Sequence, residues 1–394
     1  MSEIAIFGAG KIARGFLAHL ISLSNKRFFF IERDSNLVQL LKSRKKYSIH
    51  VMGHSEKDYV VSNFEVYQSD AQDDYLQILS ESNLILTSVG GQNLPAISGA
   101  ISKAIMLRFF RNDKEAVNII TCENWIEPAG KLKKAVIANL PQEAHKFVEE
   151  YIGFSESVVL RSATDSEPER LAEDPLVVNV QDYWILHING KTVKGTLPKI
   201  AGFENKMNFA GMLTRKLYTY NAANGSASYL GFLKGYERID QAVADPEILE
   251  ILMKVYDETS KALSKEFGIS YEDEYAFSMT SLAKLRNKDI VDFIVRNARD
   301  PIRKLGVEDR LVGPSLIALK YGIQPEGLAT AIAAAIYYSD PNDARAKELT
   351  HIRLTNGIDY ILDEICKIKR YPAFKNLIIE KILYLRKIGW IKEY

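Results

Sequence analysis

Short unbroken apolar runs alternate with amphipathic stretches through the first half of the chain. Ile4–Phe7 (IAIF), residues 28–31 (FFFI), residues 84–89 (LILTSV) and Val117–Thr121 (VNIIT) are short and rich in β-formers. Such runs predict strands buried on both faces. Between them the period changes. Over residues 11–23, Ile12, Phe16, His19 and Leu20 fall on one helical face. Ser35 is placed to cap a helix running through Leu41, and a further helix is expected over residues 94–110. Residues 47–67 hold more β-formers and predict an antiparallel excursion. Buried strands in alternation with helices imply a parallel sheet covered on both sides.

The pattern loosens between residues 158 and 200, where 176–180 and 183–188 still read as strands. Pro198 and Gly202 then mark a boundary, and from Asn208 onward the spacing is helical with no long strand candidate. We expect an α/β domain with a parallel sheet over residues 1–200 and an all-α domain over 201–394.

A length of 394 residues suits two domains. Lys and Arg total 51 against 50 Asp and Glu, a net charge of +1, so the basic excess of a nucleic-acid binder is missing. The basic run at 42–46 (KSRKK) reads as a solvated loop. Cys122 and Cys366 cannot make a disulfide framework and lack zinc-ligand spacing, which fits a reducing compartment and no bound metal. The apolar stretch 327–338 is shorter than the roughly 20 residues a bilayer requires and reads as a buried helix. The chain opens Met1-Ser2-Glu3 directly before a strand, without the form of a signal peptide. A cytoplasmic protein acting on a small molecule, as a monomer or small homo-oligomer and away from membranes, is the expectation.

Candidate chemistry sharpens this picture. Gly8-Ala9-Gly10-Lys11-Ile12-Ala13 fits G-x-G-x-x-G/A, follows the first strand and opens a helix. In a Rossmann-type domain, Gly8 allows the tight turn and Gly10 admits the cofactor pyrophosphate. Ala13 keeps helix and strand close, and the free amides at Lys11 and Ile12 meet phosphate charge. Glu32 ends the second strand 24 positions after Gly8, where an acid bonds the adenine ribose and repels a 2′-phosphate; NAD is expected over NADP, although Arg33 stands beside it. Val89-Gly90-Gly91 and Cys122-Glu123-Asn124 end later strands, where such folds hold ligands. Val89 and Gly90 are expected to adjoin the cofactor and Asn124 to bond its nicotinamide-side ribose. Cys122 reads as a small buried residue rather than a nucleophile.

Lys216, Asn221 and Asn224, followed by Tyr229-Leu230-Gly231, open the helical domain. Lys216 and Asn221 are five positions apart, so a straight α-helix would not point them the same way; a bend is needed. This array resembles the K-x-x-x-x-N-x-x-H … Y-L-G pattern of the polyol-specific long-chain dehydrogenases, the mannitol dehydrogenase family. Further segments are similar to the branch acting on mannitol 1-phosphate: residues 8–15, 46–51, 122–124 with Ala129, 162–165, 301–305 and 309–311. The resemblance spans residues 1 to about 340. It implies a metal-free, NAD-linked interconversion of a polyol or polyol phosphate and the keto sugar, with mannitol 1-phosphate and fructose 6-phosphate the best pair. It makes Lys216 the general base, Asn221 a donor to the reacting oxygen and Ser162 a second polar group near that oxygen.

Three departures accompany the likeness. Asn224 stands where the family has histidine; it can hydrogen-bond but cannot titrate. His187 stands where an acid is expected, and either replaces the lost histidine or packs in a strand. Residues 165–167 (DSE) stand where the family runs Asp-Arg-Ile, which weakens the case for a phosphorylated substrate. Arg303, Lys304 and Arg310 are other cations there, expected in structural salt bridges. Two alternatives stay open: the same chemistry on another polyol or a hexuronate, and an NAD-binding regulator without catalysis.

Overall fold

The computed structural model describes residues 3–52, 58–125 and 127–392. Met1 and Ser2, on which the reading of the chain's start rests, and residues 53–57 of the expected antiparallel excursion lie outside them. The chain forms two compact units, Met1–Phe209 and Ala210–Tyr394.

The first unit is built on an eight-stranded sheet. Its strands are β1 (Ile4–Phe7), β2 (Phe28–Glu32), β5 (Phe64–Gln68), β6 (Leu84–Thr87), β7 (Val117–Thr121), β8 (Ile152–Val158), β11 (Leu186–Asn189) and β12 (Phe203–Lys206). Their spatial order is β12-β11-β8-β7-β6-β1-β2-β5. The run from β5 to β8 is parallel throughout and follows the doubly wound order 3-2-1-4-5-6. Alternation along each strand feeds two cores. Ile4, Ile6, Phe28, Phe30, Leu84 and Leu86 pack on one face. Ala5, Phe7, Phe29, Ile31 and Ile85 pack on the other. This is why these strands carry no polar alternation.

The excursion divides in two. β3 (Tyr47–Val51) and β4 (Asp58–Val61) are antiparallel as expected, but they belong to a second, four-stranded sheet with β9 (Ala163–Thr164) and β10 (Val178–Val180). β5 instead joins β2 in parallel, so the antiparallel expectation fails at its end. The expected strands at 176–180 and 183–188 are shorter or shifted, as β10 and β11. The cap expected at Ser35 is a correction: Asp34 accepts the amides of Asn36 and Leu37, and Ser35 is already inside helix α2 (Ser35–Arg44). An Asp before the first helical residue has the geometry for this and Ser35 does not. The basic run at 42–46 is exposed, but it forms the last turn and cap of α2 rather than a loop, where cations complement the helix dipole. The sheet continues through β12 to Lys206, past residue 200.

The second unit is helical. α16 (Glu326–Ile336) is its axis, buried from Gly327 to Ile336 on every side. A helix apolar all round must lie inside its domain. Its N-terminus is buried too, and Glu258 of α11 (Pro246–Phe267) satisfies it by accepting the amides of Gly327 and Leu328 at 2.6 and 3.0 Å. Among the described residues no helix is long and apolar enough to cross a membrane.

Candidate active site

In the first unit the expected cofactor residues lie at the carboxyl ends of β1, β2, β6 and β7. Gly8 has φ +90°, and a Cβ there would stand 2.5 Å from the carbonyl oxygen of Ser88, so the tight turn after β1 requires glycine. Ser88 in turn donates its amide to the Phe7 carbonyl at 2.8 Å, tying the ends of β1 and β6 together. These strands flank the point where strand order reverses, which is where such sheets bind ligands. Gly10 has the opposite surroundings: nothing lies within 4 Å of where its Cβ would be, so the turn is open on that side.

Behind the turn, residues Ala13–Leu17 form a π-helical turn that continues as α1 (Ala18–Leu23). Lys11 and Ile12 begin this helix, and helix-start amides lack intrahelical acceptors. The Lys11 ammonium pairs at 2.5 Å with the exposed Asp165, which keeps the family's aspartate just before the two positions that depart from its pattern. Glu32 is half-buried. Its Oε2 accepts the Ala9 amide at 2.6 Å, and its Oε1 accepts those of Arg33 and Asp34 at 2.7 and 2.9 Å.

Val89 and Gly90 sit in the loop after β6, and Asn124 is exposed after β7. Glu123 joins these loops and was not singled out from sequence. Its buried carboxylate accepts the Thr87 hydroxyl at 2.8 Å and the Val89 amide at 3.1 Å, and burial raises its pKa. Trp125 was also missed: its exposed indole covers Gly91, where a Cβ would lie 2.2 Å from the ring. Neither residue carried a pattern beyond its place next to Asn124. Cys122 is buried, and its thiol, pushed far up by burial, accepts a hydrogen bond from Ser157 at 3.3 Å.

Ser162 and His187 have partners elsewhere in this unit. The Ser162 amide meets the Gln181 side chain at 3.4 Å. His187 is buried in β11, with Nε2 3.1 Å from the Tyr183 hydroxyl and Nδ1 3.5 Å from Glu204. Next to Ser162, Arg161 is 2 % exposed and lies 4.6 Å over Trp184, with one guanidinium nitrogen against His19 Nδ1 at 3.2 Å. A cavity of about 680 Å³, lined by residues 195–201 with Phe203 and Asn205, includes none of the expected site residues.

In the second unit, α8 (Phe209–Lys216) ends at Lys216, a π-helical turn spans Leu217–Asn221, and α9 (Ala222–Lys234) follows. The Ala222 amide donates to the Leu217 carbonyl, five residues back. The five-residue repeat of such a turn brings positions 216 and 221 onto one side, supplying the bend that their spacing required. Lys216, Asn221 and Asn224 are each half-buried. Burial, with a smaller contribution from the charge of Lys284, lowers the Lys216 amine to about 8. Tyr229, Leu230 and Gly231 pack rather than react. Tyr229 is fully buried and donates to the Ala298 carbonyl at 2.9 Å, and Gly231 lets Ala242 and Ile294 approach.

Arg303 pairs with Asp300 and Asp309, and Arg310 with Asp309. Lys304 is buried and donates to the Asn297 carbonyl instead, and burial beside Arg310 and Arg303 lowers it to about 7. Among the described residues no three His, Cys, Asp or Glu side chains are grouped to hold a metal ion.

Both units match models of one known family. Residues 2–202 match the mannitol dehydrogenase Rossmann domain, and residues 209–368 match the mannitol dehydrogenase C-terminal domain. A substrate-free crystal structure of D-sorbitol dehydrogenase is similar with TM-score 0.82 and 17% identity, over 98% of this chain and 93% of that one. The Pseudomonas fluorescens mannitol 2-dehydrogenase, solved with NAD and D-mannitol, is similar with TM-score 0.69 and 18% identity, over 99% of this chain and 92% of that one. At these identities the two structures speak to fold.

Proposed function

Because the chain belongs to the mannitol dehydrogenase family, we propose that it catalyses the reversible NAD-linked oxidation of a secondary alcohol on a polyol or polyol phosphate, with Lys216 as general base. The observation that supports this most is the Lys216 amine, lowered to about 8 at the head of the π-helical turn that carries Asn221. A lysine in water titrates near 10.4 and is a poor base at neutral pH. One lowered by burial offers a free amine in the working range.

The turn at Gly8–Ile12 suits a dinucleotide: Gly10 is open where a pyrophosphate needs to approach, and Glu32 stands where an adenine ribose is bound. Val89, Gly90 and Asn124 are assigned to the rest of the cofactor. NAD, when bound, supplies the acceptor for the hydride that leaves the carbinol carbon. Lys216 takes the hydroxyl proton as the carbonyl forms and returns it in the reduction direction. Asn221 donates to the oxygen on which negative charge grows, and Asn224 hydrogen-bonds a neighbouring hydroxyl without exchanging a proton. The preferred pair is mannitol 1-phosphate and fructose 6-phosphate, from the likeness of residues 8–15, 301–305 and 309–311 to that branch.

NADH consumption with fructose 6-phosphate, fructose and hexuronates tests the reading. Turnover with one of them should fall by ~10²–10⁴ in Lys216→Ala, the usual worth of a general base. NADH binding with no turnover on the panel would favour a regulatory protein, a reading to which Asn224 lends weight.

A further inference from the structure

Ala9, in the turn after β1, is gripped at both of its backbone polar groups. Its amide donates to Glu32 at 2.6 Å, and its carbonyl accepts from the Arg14 guanidinium. Arg14 sits in the π-helical turn behind it and is 8 % exposed. Its backbone is fixed in its turn. The Arg14 carbonyl accepts the hydroxyl of Tyr47 in β3 at 3.1 Å, and a Cβ on the next residue, Gly15, would stand 2.7 Å from Val180 of β10. Among the described residues every peptide bond is trans, so the Gly10 amide points opposite to the Ala9 carbonyl. With that carbonyl turned to the buried Arg14, the amide is turned away from it, in a residue with nothing within 4 Å of where its Cβ would be. Among the described residues the Gly10 amide has no hydrogen-bond partner.

A buried cation is ordinarily paired with an anion. Arg14 reaches a carbonyl instead, and its buried Nε has no partner among the described residues. Three carboxylates lie near enough to act on its charge, and each is committed elsewhere. Glu32 accepts the amides of Ala9, Arg33 and Asp34. Asp174 accepts those of Ser48 and Leu176 at 2.6 and 2.9 Å. Asp165 pairs with Lys11. We infer that Arg14 is a positioning residue for the cofactor's pyrophosphate: it holds the Ala9 carbonyl inward, aims the Gly10 amide at a phosphate oxygen, and takes the diphosphate as its counter-charge. This rests on the dinucleotide reading of the turn. Arg14 acts through the peptide it grips, since a donor on the carbonyl polarises the bond and strengthens the N–H at its other end. Ala9 thus stands between an acid assigned to the ribose and a cation that serves the phosphates.

The test is calorimetric titration of the full-length protein with NADH, ADP and adenosine, which share the adenine ribose and differ in the diphosphate. Arg14→Met should weaken NADH and ADP by about 10- to 100-fold, the worth of a hydrogen bond to a charged group, and leave adenosine unchanged. Arg14→Lys, which keeps the cation, should recover most of the loss. An equal loss for all three ligands, or one that Arg14→Lys leaves in place, is the mark of a packing role and overturns the proposal. The wild type gives a second reading should Arg14→Met not fold. In protein isotope-labelled at its glycine amides, the Gly10 proton, identified by its loss in Gly10→Ala, should move downfield with ADP and stay in place with adenosine. A Gly10 signal that answers both alike, or neither, overturns it too. A wild type that binds neither NADH nor ADP sinks the dinucleotide reading itself, and this inference with it.

Discussion

The carboxylate of Glu32, which ends one strand, accepts the amide of Ala9, in the turn that ends the neighbouring strand, at 2.6 Å. With the Arg33 and Asp34 amides it collects three backbone donors. The residue assigned to ribose recognition thus shapes the turn as well. Glu32→Gln, which turns an acceptor into a donor, should cost ~1–3 kcal/mol of stability before any cofactor is added. Chemical denaturation of the cofactor-free protein measures it, and an unchanged midpoint would show that these bonds do not hold the turn.

The two directions of the proposed reaction should respond oppositely to pH. Oxidation needs the Lys216 amine free, so its rate should rise through about pH 8. Reduction needs the ammonium and should fall through the same range. Rates in both directions over pH 6–10 decide it, and limbs of the same sign would remove Lys216 from the proton transfer.

Acid should destabilise the first unit through His19. The ring is 1 % exposed and faces Arg161, whose guanidinium can only donate, so His19 must stay neutral to accept on Nδ1. Burial first, then the charge of Arg161, lowers it to about 3. With the folded value below the unfolded one near 6.5, its contribution is complete above pH 6.5 and shrinks as pH falls toward 3, by up to ~1.4 kcal/mol per unit. Thermal melts of wild type and His19→Gln across pH 4–7 should converge at the acid end.

Gly313, in α15 (Val312–Lys320), lies under the Tyr218 ring of the π-helical turn; a Cβ there would stand 2.4 Å from the hydroxyl oxygen. Gly313→Ala should push that ring aside and cut kcat at least tenfold with little change in NADH affinity. Quenching of the exposed Trp125 gives the affinity, and steady-state rates give the rest.

Much of this was legible beforehand because burial writes itself into sequence. IAIF, FFFI, LILT and VNIIT are apolar at every position since each strand feeds cores on both sides. The glycine turn and Glu32 were readable because their spacing follows backbone geometry. The pairing of β3 with β10 was not, for nothing local to residues 49 and 178 says that they meet. Asp34 was overlooked as the cap of α2 because Ser35 is as good a capping residue type, and only backbone angles choose between them. Glu123 escaped for a related reason. A carboxylate or an ammonium in sequence looks solvated until the fold supplies the neighbours that bury it.

The π-helical turn at residues 217–221 amounts to one residue too many for an α-helix. Removing any one of residues 217–220 would leave a continuous helix, yet would rotate everything after it by about 100° relative to what precedes it. Position 221 would then leave the side of the helix that carries Lys216, while the fully buried side of α9 would lose its match with α16. The extra residue thus sets the phase between Lys216 and the core into which α9 packs, so single-residue deletions here should be far more damaging than most substitutions.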